Sequence, residues 1–167
     1  MKKIAYALLV IALLLPLSAA FAKKSEGGNV KPMKGEFVGT WQSEYAGDPD
    51  ATDVGNGQFT HLGLSSFSGV LTTDWTSEFI GSVTGTMPLT AANGDKLYIG
   101  IAGTQTMDSS YTFSDFVGTY AITGGTGRFV GASGAGTITA HLTINWPEWK
   151  DGDITGSLEG NLITLMP

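Results

Sequence analysis

The chain has 167 residues, 42% of them hydrophobic, and its 15 acidic against 9 basic side chains give a net charge of −6. That balance argues against nucleic acid or an anionic membrane surface as partner, because like charges repel. The absence of cysteine excludes disulfides, thiolate metal sites, cysteine nucleophiles and a lipid-attachment thiol.

Lys2 and Lys3 precede an apolar run from Ile4 to Leu15, Pro16 breaks it, and Ala20-Phe21-Ala22 supplies a small-x-small site. This is the pattern of a secretory signal peptide over 1–22, with cleavage after Ala22 and export to the periplasm or the exterior. The run is short for a bilayer span. Its removal takes two lysines and no acid, so the charge becomes −8; neither a membrane nor nucleic acid is an expected partner of the remainder. Residues 23–35 are polar and lack periodicity, and are expected to form a flexible leader. A single domain is expected over 36–167, a size that buries about 70% of its unfolded surface without staples.

From Glu36 onward short stretches alternate between apolar and polar residues, punctuated by glycine and threonine, which indicates an all-β protein. Strands are expected at Glu36–Tyr45, Gln58–Leu64, Phe67–Asp74, Glu78–Leu89, Lys96–Thr104, Asp115–Ile122, Gly134–Asn145 and Asp153–Ile163. Between them, Ala46–Asn56 reads as an acidic loop and Trp146–Gly152 as a second long one. Ala92-Asn93-Gly94-Asp95 signals a hairpin, since Asn-Gly suits the positive φ angles of a type I′ turn. Eight strands with hairpin-like connections favour an antiparallel, closed up-and-down β-barrel, because closure removes exposed edges. Phe37-Val38-Gly39-Thr40-Trp41 and Phe116-Val117-Gly118-Thr119-Tyr120 echo each other, as two equivalent strands would.

Alternation assigns one face to the barrel interior. It collects Phe37, Trp41, Phe67, Leu71, Phe79, Val83, Met87, Phe116, Tyr120 and the isoleucines and leucines of the later strands, interleaved with glycines such as Gly81, Gly118, Gly156 and Gly160. Trp41, Phe67, Phe79, Met87, Phe116 and Tyr120 are the candidate ligand-binding residues. No charged residue falls on this face; Glu36, Glu44, Lys96, Asp115, Asp153 and Glu159 share the opposite one. The interior is therefore expected to offer apolar contacts, the Tyr120 hydroxyl and the Trp41 indole, without a catalytic residue.

Other chemistries fail on spacing. Asp48, Asp50 and Asp53 resemble a calcium loop, but counting from Asp48 puts Thr52, Asp53 and Phe59 at positions five, six and twelve, where an EF-hand needs a ligand, glycine and glutamate. His61 and His141 are the only histidines, HExxH is absent, and no metal site or cofactor is expected. His141 shares its phase with threonines and is expected to face water. No G-x-S-x-G elbow precedes a helix. Gly124-Gly125-Thr126-Gly127-Arg128-Phe129 contains a G-x-G, yet Val130 stands at the last glycine's place and a strand follows, so these glycines suit a tight structural turn better than a phosphate loop. Arg128 reads either as surface charge or as an anchor for neighbouring acids.

The run from Phe116 to Gly134, FVGTYAITGGTGRFVGASG, resembles the allene oxide cyclase barrel-like group, which includes dirigent proteins and bacterial secreted relatives. Its G-G-T-G-x-F core is the specific part; Gly57–Gly63 and Thr90–Asp95 are similar to segments of the bacterial members. The resemblance implies a calycin-like, eight-stranded antiparallel barrel and allows a homo-oligomer. Plant members steer cyclisation or coupling of hydrophobic substrates, but no working residue maps onto this chain. Gly39-Thr40-Trp41 also resembles the lipocalin G-x-W, with nothing else in support.

Three functions follow. The first is a non-catalytic barrel that binds a small hydrophobic ligand in its lumen. The second is a dirigent- or cyclase-like enzyme, which needs a charged group turned inward, with Glu44, Asp74, Glu78 and Arg128 as suppliers. The third is a structural or surface-interaction protein whose barrel is filled by its own side chains.

Overall fold

The computed structural model describes residues 28–165, so the expected signal segment lies outside them. Eight strands follow in chain order: β1 (Gly28–Ser43), β2 (Asp50–Phe59), β3 (Gly63–Trp75), β4 (Ile80–Ala91), β5 (Lys96–Met107), β6 (Phe113–Gly125), β7 (Ser133–Thr143) and β8 (Asp151–Leu165). Each pairs antiparallel with the next, and β1 pairs with β8 from Gly28↔Leu165 to Gln42↔Asp151. The expected eight-stranded closed barrel is the observed one. Every strand finds partners on both sides, which leaves no ladder edge open to solvent.

Two strands depart from the sequence reading. β1 starts at Gly28 rather than Glu36, within the segment expected to be a flexible leader. Met33 is its inward anchor, with no exposed surface, and the Lys34 amide donates to Thr60 Oγ1 at 2.8 Å. Glycine, proline and lysines around Met33 dilute the alternation that would have marked it. β2 occupies Asp50–Phe59, most of the expected acidic loop, while the strand expected at Gln58–Leu64 is largely the turn 60–62. Its inward positions are Ala51, Asp53, Gly55, Gly57 and Phe59, so four of the five lack the bulk that signals a buried face.

The expected hairpin at Ala92–Asp95 forms, but not as a type I′ turn. The Gly94 amide donates to the Ala91 carbonyl at 2.8 Å, and Gly94 alone takes a positive φ, 87°. That is the three-residue connection closed by a left-handed glycine.

Inside the barrel, aromatic rings lie across glycines of their own and nearby strands. Phe37 covers Gly156, Phe116 covers Gly103 and Gly118, and Tyr120 covers Gly136 and Gly160. A Cβ at Gly160 would stand 2.6 Å from Tyr120 Oη, closer than packed atoms tolerate. The alternation of large and small inward residues thus lets aromatic rings fit inside a narrow barrel.

The meander sorts its connections to two ends. Turns 60–62, 92–95 and 126–132 lie at one end, where Met33, Phe59, Leu89, Leu97, Phe129 and Leu162 form a plug, none more than 2% exposed. The glycine-dense turn builds its lid. A single 3-10 turn, Gly127–Phe129, sets Phe129 into the core beneath it. Gly127 has a φ of 54°, and any side chain there would strike the Asp95 carboxylate. Arg128 sits 3.8 Å from Asp95 and 4.9 Å above the Phe129 ring, as an anchor for a neighbouring acid.

Candidate functional site

The other end is open. Loops 44–49, 76–79, 108–112 and 144–150 surround a cavity of about 390 Å³ that runs down to Phe37, Met87, Ile101, Phe116, Ile138 and Ile154. Of the six candidate ligand-binding residues, Trp41, Met87 and Phe116 line this space. Phe67, Phe79 and Tyr120 are not among its lining residues. Phe67 packs edge-on against Phe37, with centroids 5.5 Å apart. Tyr120 is buried in the plugged half, its hydroxyl without a partner. Phe79 stands at the mouth 5.6 Å from Tyr111, which stacks on Trp149 at 5.9 Å.

Trp41 leaves the lumen partly empty because its indole reaches sideways. The ring crosses Gly152, and Nε1 donates to the Thr143 carbonyl at 2.8 Å. The indole N–H is thereby occupied by the backbone, contrary to its expected role as a free polar group of the interior.

The interior does hold an ionisable group. Asp53, expected in a solvated loop, faces inward from β2 opposite Trp41 and Gly69 and lines the cavity. It is 2% exposed, and among the described residues its Oδ2 has no hydrogen-bond partner. Burial penalises the charged form and pushes its pKa from 3.8 up to about 7. The missed signal was the run of outward-facing Thr52, Val54, Asn56 and Gln58, which places Asp53 on the opposite face. Of the suppliers expected for an inward charge, only Glu78 reaches the cavity, at its mouth, where it accepts the Tyr111 hydroxyl. Glu44 and Asp74 are exposed, and Arg128 belongs to the closed end.

A polar chain lines another part of the wall. Thr73 Oγ1 donates to Gln105 Oε1 at 3.3 Å, and Gln105 Nε2 donates to Ser114 Oγ at 2.8 Å. Gly81 of β4 lies against the Thr73 side chain, and its lack of a side chain lets the contact pass from β3 to β5. The cavity thus offers apolar walls, one buried carboxyl at Asp53, the carboxyls of Asp48 and Glu78 and a hydrogen-bonded amide. Among the described residues no Lys, Arg or His lines it.

The three aspartates near Asp48 diverge rather than converge. Asp48 accepts the amides of Glu44 and Asp50 at 3.1 Å each, Asp50 accepts the Thr72 hydroxyl at 2.6 Å, and Asp53 turns inward. His61 lies at the closed end with Nε2 3.1 Å from the Pro32 carbonyl. His141 is on the outer face, as expected, with Nδ1 2.7 Å from Asp115.

No family model matches the sequence, and no curated protein is similar to it. Among solved structures, the pterocarpan synthase dirigent protein GePTS1 is similar, with 14% identity over 86% of this chain and 90% of that one and a TM-score of 0.51. The pterocarpan synthase dirigent protein PsPTS1 is also similar, with 15% identity over 83% and 97% of the two chains and a TM-score of 0.45. At such identity the likeness to GePTS1 concerns the fold, and the chain has a dirigent-like barrel.

Proposed function

We propose that the protein binds a small hydrophobic ligand in the open half of its barrel. The observation that carries this reading is the 390 Å³ cavity walled by Phe37, Met87, Ile101, Phe116, Ile138 and Ile154. That volume lies in the range of small-molecule sites, and a few convergent polar groups among apolar walls are what such sites use for orientation. The reading of a barrel filled by its own side chains describes the plugged half only. The test is a titration with the neutral fluorophore N-phenyl-1-naphthylamine, read by energy transfer from tryptophan, with Trp41→Phe as control. Saturable binding with transfer diminished in Trp41→Phe is the expected result; a linear, unsaturable response in both proteins refutes it.

A second reading has support in Asp53. A dirigent-like enzyme that steers cyclisation or coupling needs an inward ionisable group, and a carboxyl titrating near pH 7 is suited to give or take a proton. Asp53→Asn separates the readings: an enzyme loses turnover while its cavity still fills with probe, whereas a binder has no turnover to lose.

A further inference from the structure

We infer, building on the hydrophobic-ligand reading, that the ligand is an organic cation: an apolar body bearing one ammonium group that pairs with Asp53. Asp53 Oδ2 is buried, faces the cavity and has no partner among the described residues. A buried carboxylate without a counter-charge is costly, and among the described residues no cationic side chain lines the space to supply one. Near pH 8, where the folded chain has released the Asp53 proton, the desolvation of this carboxylate has already been met in folding, so an incoming ammonium bears only its own.

The surroundings select the same sign. The four loops at the open end carry Glu44, Asp48, Glu78, Asp108 and Glu148 against one cation, Lys150, which lies 2.7 Å from Glu148. Lys31, Lys34, Lys96 and Arg128 lie toward the plugged end instead. A negatively charged mouth draws cations in and repels an anionic amphiphile such as a fatty acid. The stacked Tyr111 and Trp149, which both line the cavity, present aromatic π-systems to whatever passes, and such faces attract ammonium groups. A neutral apolar molecule would leave Oδ2 unpartnered.

The titratable groups that share the cavity with Asp53 are Asp48, Glu78 and Tyr111; the flanking inward positions Trp41 and Ser43 of β1 and Leu71 and Thr73 of β3 carry no titratable carboxyl or cation. Proton release from Asp53 should therefore dominate the pH response of cation binding near neutrality.

The test compares 2-naphthylmethylamine with its neutral analogue 2-naphthylmethanol, by calorimetry on the full protein and on Asp53→Asn. Wild type is expected to bind the amine at least about tenfold tighter near pH 8, and the variant to lose that preference. Below about pH 7 the amine's affinity should rise by up to roughly tenfold per pH unit, while the alcohol's stays flat. That wild-type pH response decides the matter should the variant fail to fold. Equal binding of amine and alcohol near pH 8 overturns the inference and leaves the hydrophobic site standing. A preference that survives in Asp53→Asn also overturns it, because the mouth acids would then be the source. Failure of both compounds to bind overturns the inference together with the reading beneath it.

Discussion

The two ends of this barrel are built from the same strands and do opposite things. At the plugged end six large apolar side chains meet under the glycine turn, and the lumen is full. At the open end the corresponding space is left to a cavity, because Trp41 is drawn aside to the Thr143 carbonyl and the Thr73–Gln105–Ser114 chain keeps to the wall. The difference shows how a narrow eight-stranded barrel acquires a site: one end is packed for stability, and the other keeps an unpartnered carboxyl that packing would have removed.

The largest expected effect lies in the plug. Phe129→Ala should cost about 3–5 kcal/mol, measured by denaturant melts, since it empties a fully enclosed position. Replacing the cavity residue Trp149, which is 42% exposed, by alanine should change stability by no more than about 0.5 kcal/mol and weaken probe binding several-fold. If both substitutions cost the same stability, the two halves do not differ as described.

Asp53 comes next, with the opposite sign. The unfolded chain releases this proton near pH 3.8, whereas the folded chain holds it to about pH 7. The folded state therefore binds more protons between those values, and stability falls as pH rises through that window. Asp53→Asn should be more stable than wild type by about 4 kcal/mol near pH 8, with little difference near pH 4. Paired melts at the two pH values check this; a variant destabilised near pH 8 would mean that the carboxylate has a partner.

A smaller effect than at Phe129 or Asp53 is expected at Tyr120, in the plugged half. Its hydroxyl is buried without a hydrogen bond, so Tyr120→Phe should leave stability unchanged or raise it by up to about 1 kcal/mol. A loss of more than that in thermal melts would reveal a partner for the hydroxyl.

The same division explains what was legible in the chain. The glycine turn, the sharpest motif, belongs to the plug: its residues answer backbone demands, such as the positive φ of Gly127 beside Asp95, and such demands leave clear sequence marks. The inward phase of most strands was equally readable, because large apolar residues recur at every second or fourth position, with Val83 between Ser82 and Thr84 and Leu158 between Ser157 and Glu159. The site was harder to see. β2 carries Asp53 among glycines, so its alternation lacks hydrophobic contrast and resembles an acidic loop. The polar wall depends on Gly81 letting a side chain cross one strand, a relation set by register and closure and invisible to local pattern.

The most direct test of the division between halves is methyl NMR of the protein labelled at its methionines while N-phenyl-1-naphthylamine is added. Met87 and Met107 line the cavity, and Met33 is fully buried in the plug. Saturable shifts of Met87 and Met107 with Met33 unmoved are the predicted result. Shifts at Met33 alone, or at none of the three while probe is bound, would place the ligand elsewhere and contradict an open half built for binding.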